Sequence, residues 1–226
     1  MRILVVNPVG HSKWDEQDRK LYKSFASPET EIDVVSLPRG PPSIESPKSH
    51  AETIPLVVDR VLELYRSYDA VIVNCFLDPA VDLLRGMVKK PVIGPCESSL
   101  AIASILSRRI AIVTVGGEAL WMIEDRVSQL GYRDYITSVK GIELSVLQLD
   151  EDVEKTKSVV IKAARESIDN GAEVIVLGCT GLAGLAKIVE DSVNRPVIDP
   201  AGAALKMAEA MVKLNLYSPR AKGGIY

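Results

Sequence analysis

Cys75 and Cys179 close two hydrophobic runs of the same pattern, Val71-Ile-Val-Asn-Cys75 and Ile175-Val-Leu-Gly-Cys179. Paired thiols suit a specific demand: inverting a carbon centre requires a proton to leave one face and another to arrive on the opposite face. A single base tends to return the proton where it came from. A thiolate and a thiol on opposite sides meet the requirement, and they exchange roles when the other enantiomer binds. The flanking residues predict helix starts beside both sulfurs. Asp78 reads as an N-cap with Pro79 as first helical residue, and Thr180-Gly181 precedes a helical pattern over Leu182–Val189. A helix N-terminus favours thiolate and lowers the thiol pKa. The backbone N–H groups around Phe76-Leu77 and Thr180-Gly181 are expected to hold a carbonyl oxygen as enolate charge develops on it. Cys96, in Gly94-Pro-Cys-Glu97, is matched by Ala201 and reads as a packing residue.

The elements that must carry these residues alternate between strand and helix. Short Val/Ile-rich runs predict strands over Ile3–Val6, Ile32–Ser36, Ala70–Val73, Pro91–Ile93, Ile110–Thr114, Tyr135–Val139, Val174–Leu177 and Pro196–Ile198. Helical spacing fills the gaps. Ser49–Tyr65 puts Ile54, Val57, Val58, Val61, Leu62 and Tyr65 on one face, and Glu151–Ile168 does so with Val153, Val160, Ile161, Ala164 and Ile168. Parallel sheets covered by helices follow.

The chain also resembles itself. Arg2-Ile-Leu-Val-Val matches Arg109-Ile-Ala-Ile-Val, and Pro91-Val-Ile-Gly-Pro matches Pro196-Val-Ile-Asp-Pro, with Leu100/Leu205 and Ala103/Ala208 in step at offsets of 104 to 107 residues. The expected fold is therefore α/β, with two similar lobes related by pseudo-two-fold symmetry. Residues 1–97 form the first lobe, completed by a C-terminal helix over 200–215; 98–199 form the second, and 218–226 a flexible tail. Open α/β sheets bind ligands beyond the carboxyl ends of their strands. If two such lobes face one another there, the two thiols enter one cleft from opposite sides. Asn7 and Thr114 end the equivalent first strands, and Asn74 and Gly178 precede the cysteines.

Composition narrows the function classes. The 226 residues carry 27 basic and 30 acidic side chains, a net charge of -3 with no basic block, which argues against a nucleic-acid partner. The longest uncharged stretch, Val174–Ala186, spans 13 residues with three glycines, short of the about 20 needed to cross a membrane. The opening Met-Arg-Ile-Leu-Val-Val-Asn-Pro reads as a strand rather than a signal peptide. Three widely spaced cysteines suit reduced thiols and a cytoplasmic location. Dinucleotide, P-loop, serine-hydrolase and zinc motifs are absent. His11 and His50 read as loop or helix-start residues, and no metal is expected.

At these residues the sequence resembles the aspartate/glutamate racemase superfamily, in its hydantoin and allantoin racemase branch. The matching features are Asn7-Pro8, the loop Gly40-Pro-Pro-Ser43-Ile44-Glu45-Ser, Asn74-Cys-Phe76-Leu-Asp-Pro79, Glu97 after Pro91-Val-Ile-Gly, and Leu177-Gly178-Cys-Thr180-Gly181. The resemblance covers nearly the whole chain. It implies an isomerase that needs no cofactor, uses Cys75 and Cys179 as bases, and acts on a 5-substituted hydantoin or allantoin at C5. Substrate contacts are expected from Asn7, Pro8, Ser43, Ile44, Asn74, Phe76, Glu97, Thr114, Gly178, Thr180 and Gly181. A homo-oligomer is expected.

Glutamate racemases typically open with an Asp-Ser pair and carry His after the second Gly-Cys-Thr. This chain has Asn7-Pro8 and Gly181. Other readings remain: an amino-acid racemase, a malonate-type decarboxylase or a maleate isomerase on the same scaffold; a cysteine hydrolase using one thiol, with His11 as the available base; or a small-molecule binding protein whose thiols merely line its site.

Overall fold

A computed structural model describes residues 1–221; most of the tail expected over 218–226 lies outside the described residues. Contacts divide the chain into two compact units, one of Met1–Ile44, Lys48–Pro95 and the segment from Ala204 onward, the other of Glu45–Pro47 and Cys96–Ala203.

The first unit is built on β1 (Arg2–Asn7), β2 (Glu31–Ser36), β3 (Ala70–Val73) and β4 (Val92–Ile93), with α1 (Asp15–Phe25), α2 (Pro47–Leu64) and α3 (Val81–Met87). Its sheet has the order β2-β1-β3-β4 and is parallel throughout. The second unit repeats this with β5 (Ile110–Val115), β6 (Ile136–Ile142), β7 (Val174–Leu177) and β8 (Val197–Ile198), ordered β6-β5-β7-β8 and again parallel. Its helices are α4 (Pro95–Leu106), α5 (Ala119–Gln129), α6 (Val153–Asp169) and α7 (Ala186–Val193). The last helix, α8 (Pro200–Lys213), starts in the second unit and packs from Ala204 onward in the first.

Central strands covered on both faces need apolar side chains at every position. That is why β3, β5 and β7 are buried along their whole length, and β1 everywhere but its first residue. On α2, Val57 and Val61 are fully buried, and Ile54, Val58 and Leu62 pack around them together with Tyr65, which opens the 3-10 turn after the helix. On α6, Val160 and Ala164 are buried against the second sheet, with Ile161 and Ile168 beside them.

Four local expectations are corrected. Val153 is 48% exposed, because it is the first residue of α6 after the Asp152 cap, which accepts the Lys155 N–H at 2.9 Å. Tyr135 lies in a 3-10 turn, and β6 starts one residue later. No helix begins at Pro79: Asp78 and Ala80 have φ of 48° and 64°, a left-handed backbone that postpones α3 to Val81. The pattern over Leu182–Val189 splits into a 3-10 turn, Thr180–Leu182, and α7, with Gly184 at φ 87° between them. Among the described residues, no helix is long and apolar enough to cross a membrane.

Candidate functional site

Each strand order reverses direction once, between its two central strands. The carboxyl ends of such a pair form the crevice where open α/β sheets bind ligands. In the first unit these ends are Asn7 and Asn74-Cys75; in the second they are Thr114-Val115, where β5 runs one residue past the expected end, and Gly178-Cys179.

The first pair of ends is locked by amides. The Asn74 N–H continues the sheet by donating to the Val6 carbonyl at 2.9 Å. The Asn74 side chain donates to Asn7 Oδ1 at 2.7 Å and accepts from the Tyr22 hydroxyl at 2.9 Å. Asn7 Nδ2 donates to Asp15 and Asp18 at 3.0 and 2.8 Å, and the Ser36 hydroxyl donates to Asp15 at 2.6 Å. Both asparagines are buried, and the donors of Asn7 go to protein carboxylates. Asp15, Asp18 and Tyr22 were not singled out from sequence. Their signal was available: spacings of three and four residues put them on one face of α1.

Beyond this lock the chain turns. Cys75 is half-buried, Phe76 and Leu77 are buried, and the Asp78 N–H donates to the Cys75 carbonyl at 3.0 Å. Asp78 is itself buried, against Gly94, where any Cβ would overlap its carboxylate.

The second pair of ends is locked through backbone. The Gly178 N–H donates to the Val113 carbonyl at 2.7 Å, and the fully buried Thr114 hydroxyl donates to the Gly178 carbonyl at 2.7 Å. A side chain at 178 would overlap Ile112 and crowd Thr114. Cys179 follows, half-buried, and its carbonyl accepts the Leu182 N–H at 2.9 Å. Asp199 ties this turn to the end of β8: its carboxylate accepts the N–H groups of Gly184, Ala201 and Gly202 at 2.5, 3.0 and 3.1 Å.

The electrostatics of Cys179 differ from the sequence expectation. Burial pushes its thiol up to about 11, and the Glu45 carboxylate acts in the same direction, against the opposing amides of Gly181 and Leu182. A three-residue 3-10 turn carries too small a dipole to offset desolvation. In the sequence Glu45 stands out only as part of the loop Gly40-Pro-Pro-Ser43-Ile44-Glu45-Ser. It belongs to the second unit, where its Oε2 accepts the Val146 N–H at 3.0 Å.

The remaining expected contacts are distributed as follows. Pro8 is buried, with its carbonyl accepting the Thr53 hydroxyl at 2.7 Å. Ser43 is half-buried and Ile44 buried, in the loop where His11 Nε2 meets the Pro42 carbonyl at 3.0 Å. Glu97 is half-buried in the first turn of α4, Thr180 is half-buried and Gly181 exposed. Among the described residues, no group of three or more His, Cys, Asp or Glu is arranged to hold a metal ion.

A family model described as Asp/Glu/Hydantoin racemase matches residues 3–208. The hydantoin racemase of Paenarthrobacter aurescens is 31% identical over 224 residues, covering 98% of this chain and 95% of that protein. The allantoin racemase of Pseudomonas fluorescens superposes with a TM-score of 0.93 at 31% identity, covering 100% of both chains. That of Klebsiella pneumoniae gives 0.92 at 30% identity, covering 96% of this chain and 90% of its own.

Proposed function

The chain belongs to the Asp/Glu/hydantoin racemase family and is a racemase; from that premise we propose that it inverts C5 of a 5-substituted hydantoin or of allantoin, with Cys75 and Cys179 as the two acid/base groups and no cofactor. The observation that carries this reading is the equivalence of the two cysteines: each stands two residues past the end of the corresponding central strand, at the reversal point of its own sheet.

The chemistry needs no electron sink beyond the substrate. The C5 hydrogen lies next to a ring carbonyl, so removing it as a proton gives an enolate delocalised into the ring. One sulfur, as thiolate, takes that proton and becomes a thiol. The other, a thiol at the outset, donates its proton to the opposite face and becomes a thiolate. The enzyme is left with its protonation reversed, ready for the product enantiomer.

The environment of Cys179 fits the donor half of this cycle, since a thiol raised to about 11 rests protonated at neutral pH. Asn7 and Thr114 support the two strand ends through the bonds described above. Substrate contacts then come from the turns themselves and from the loop around Ser43 and Ile44. A homo-oligomer in the cytoplasm completes the proposal, and light scattering on the purified protein tests the assembly.

Circular dichroism of single-enantiomer hydantoins and of allantoin, with dialysed, reduced protein, tests the reaction. The optical signal is expected to decay to zero, with deuterium appearing at C5 in D2O. A signal that follows the spontaneous rate for every such substrate overturns the proposal.

A further inference from the structure

Glu45 is the one carboxylate that joins the second unit from outside its continuous stretch of sequence, in the tripeptide Glu45–Pro47. Its anchor is specific: the Val146 N–H, at the start of the 3-10 turn Val146–Gln148 whose Ser145 and Gln148 cap one another. That turn packs on the cysteine loop. A Cβ placed on Gly181 would lie 2.8 Å from Leu149 Cδ1, 3.6 Å from Cys179 Sγ and 4.0 Å from Val146 Cγ1. Val146, Leu149, Gly181 and the sulfur are thus neighbours, and Glu45 is held to the first of them.

Few other charges compete at this sulfur. Asp199, a carboxylate packed on the same loop, accepts three backbone N–H groups, and burial raises its pKa against them, disfavouring its charge. Asp150, Glu151 and Asp152, which follow the 3-10 turn, are solvent-exposed.

We propose that Glu45 is a positioning residue for the racemisation: held by the Val146 amide, its negative charge adds to desolvation in holding the proton on Cys179, so that of the two forms with one thiol and one thiolate the one with Cys179 as donor and Cys75 as base is favoured. This rests on the two-cysteine reading above. A carboxylate beside a half-buried sulfur disfavours the thiolate by like-charge repulsion. Once Cys179 has given up its proton, the same repulsion raises its basicity toward the next substrate.

The experiment uses the full chain with Cys75→Ser and Cys96→Ala, so that Cys179 is the remaining thiol, and follows thiolate absorbance and iodoacetamide alkylation against pH without substrate. The expected midpoint is near 11, and Glu45→Gln, which keeps an acceptor for the Val146 N–H, should lower it by about one pH unit. Glu45→Asp keeps the charge and should stay near the parent. An unchanged midpoint in Glu45→Gln overturns the proposal. If that variant does not fold, the parent still decides: a midpoint at the ordinary thiol value overturns it.

With all cysteines restored, Glu45→Gln should change kcat and KM in opposite senses for the two enantiomers. Their kcat/KM values must stay equal, because enantiomers have equal free energy. Absence of racemisation by the unaltered enzyme would sink the function while leaving the thiol titration intact, so the two failures are distinguishable.

Discussion

The turns after Cys75 and Cys179 solve one problem with their parts exchanged. Both must tie a loop that carries a sulfur to the end of the outermost strand on that side of the sheet. In the first unit the carboxylate sits on the loop, as Asp78, and the strand end supplies a glycine, Gly94, to receive it. In the second the carboxylate sits at the strand end, as Asp199, and the loop supplies Gly184, whose N–H it accepts. The lock beneath each sulfur is exchanged in kind as well: a network of side chains through Asn7, Asn74 and α1 in one unit, and a threonine hydroxyl on a glycine carbonyl in the other. The two units keep the position of the thiol and the backbone bonds on either side of it while exchanging the side chains around them. Under the proposed function, the position is what the chemistry demands, and the surroundings are free to set the two thiols to different tasks.

The sharpest break of this comparison is removal of either sulfur. Cys75→Ala and Cys179→Ala are each expected to lower racemisation at least about a thousandfold in both directions, yet each should still exchange the C5 proton of one enantiomer, and not the same one. Proton NMR in D2O separates the two. Racemisation at the parental rate in either variant would show that water or another group serves the second face.

Exchanging the carboxylates tests the structural half of the comparison. Gly94→Asp brings a second carboxylate onto Asp78 and should cost about 3 kcal/mol or more in urea unfolding. Adding Asp78→Gly gives the first unit the arrangement of the second and should recover most of that loss. No recovery in the double variant would mean that the two turns are not equivalent.

The units also differ in how their closing helices are fastened. On α8, Glu209 is buried and accepts from Ser27 N and Oγ at 2.8 Å, from Thr30 Oγ1 at 2.7 Å and from Lys206 at 2.8 Å. The matching position on α4 is Ser104, whose hydroxyl bonds only its own helix, at Ala101. Burial raises the Glu209 pKa, but these bonds outweigh it and bring the carboxyl down to about 2 from 4.5. A depressed native pKa stabilises the fold above the unfolded value, and that contribution is lost as pH falls from about 4.5 towards 2. It amounts to about 1–2 kcal/mol at neutral pH once solvent screening is counted. Glu209→Gln should lose stability of that order at pH 7 and show a flatter acid limb in thermal melts; a limb as steep as the parent's would contradict the assignment.

An effect no larger is expected at the second strand-end lock. Thr114→Val leaves the Gly178 carbonyl without its donor and should cost about 1–2 kcal/mol, with Thr114→Ser close to the parent. If Val and Ser behave alike, the hydroxyl does not hold the Cys179 strand.

Local pattern alone determined the two parallel sheets, the repeat and the standing of Cys75 and Cys179 at matched strand ends, because a strand buried on both faces announces itself through unbroken runs such as Ile3–Val6 and Val174–Leu177. The failures came where tertiary contacts outvote local preference. Asp78-Pro79 reads as a helix start, yet Asp78 adopts φ 48° and turns its carboxylate to Gly94, sixteen residues downstream. The Thr180-Gly181 turn reads as the positive end of a helix that would lower a thiol pKa. The sulfur is instead raised, because its desolvation and the charge of Glu45, brought in from another part of the chain, exceed anything a three-residue turn can supply. Which residues lie on a strand is written in their immediate neighbours; how readily a sulfur gives up its proton depends on solvent exclusion and on charges distant in sequence, and those are decided only when the chain has folded.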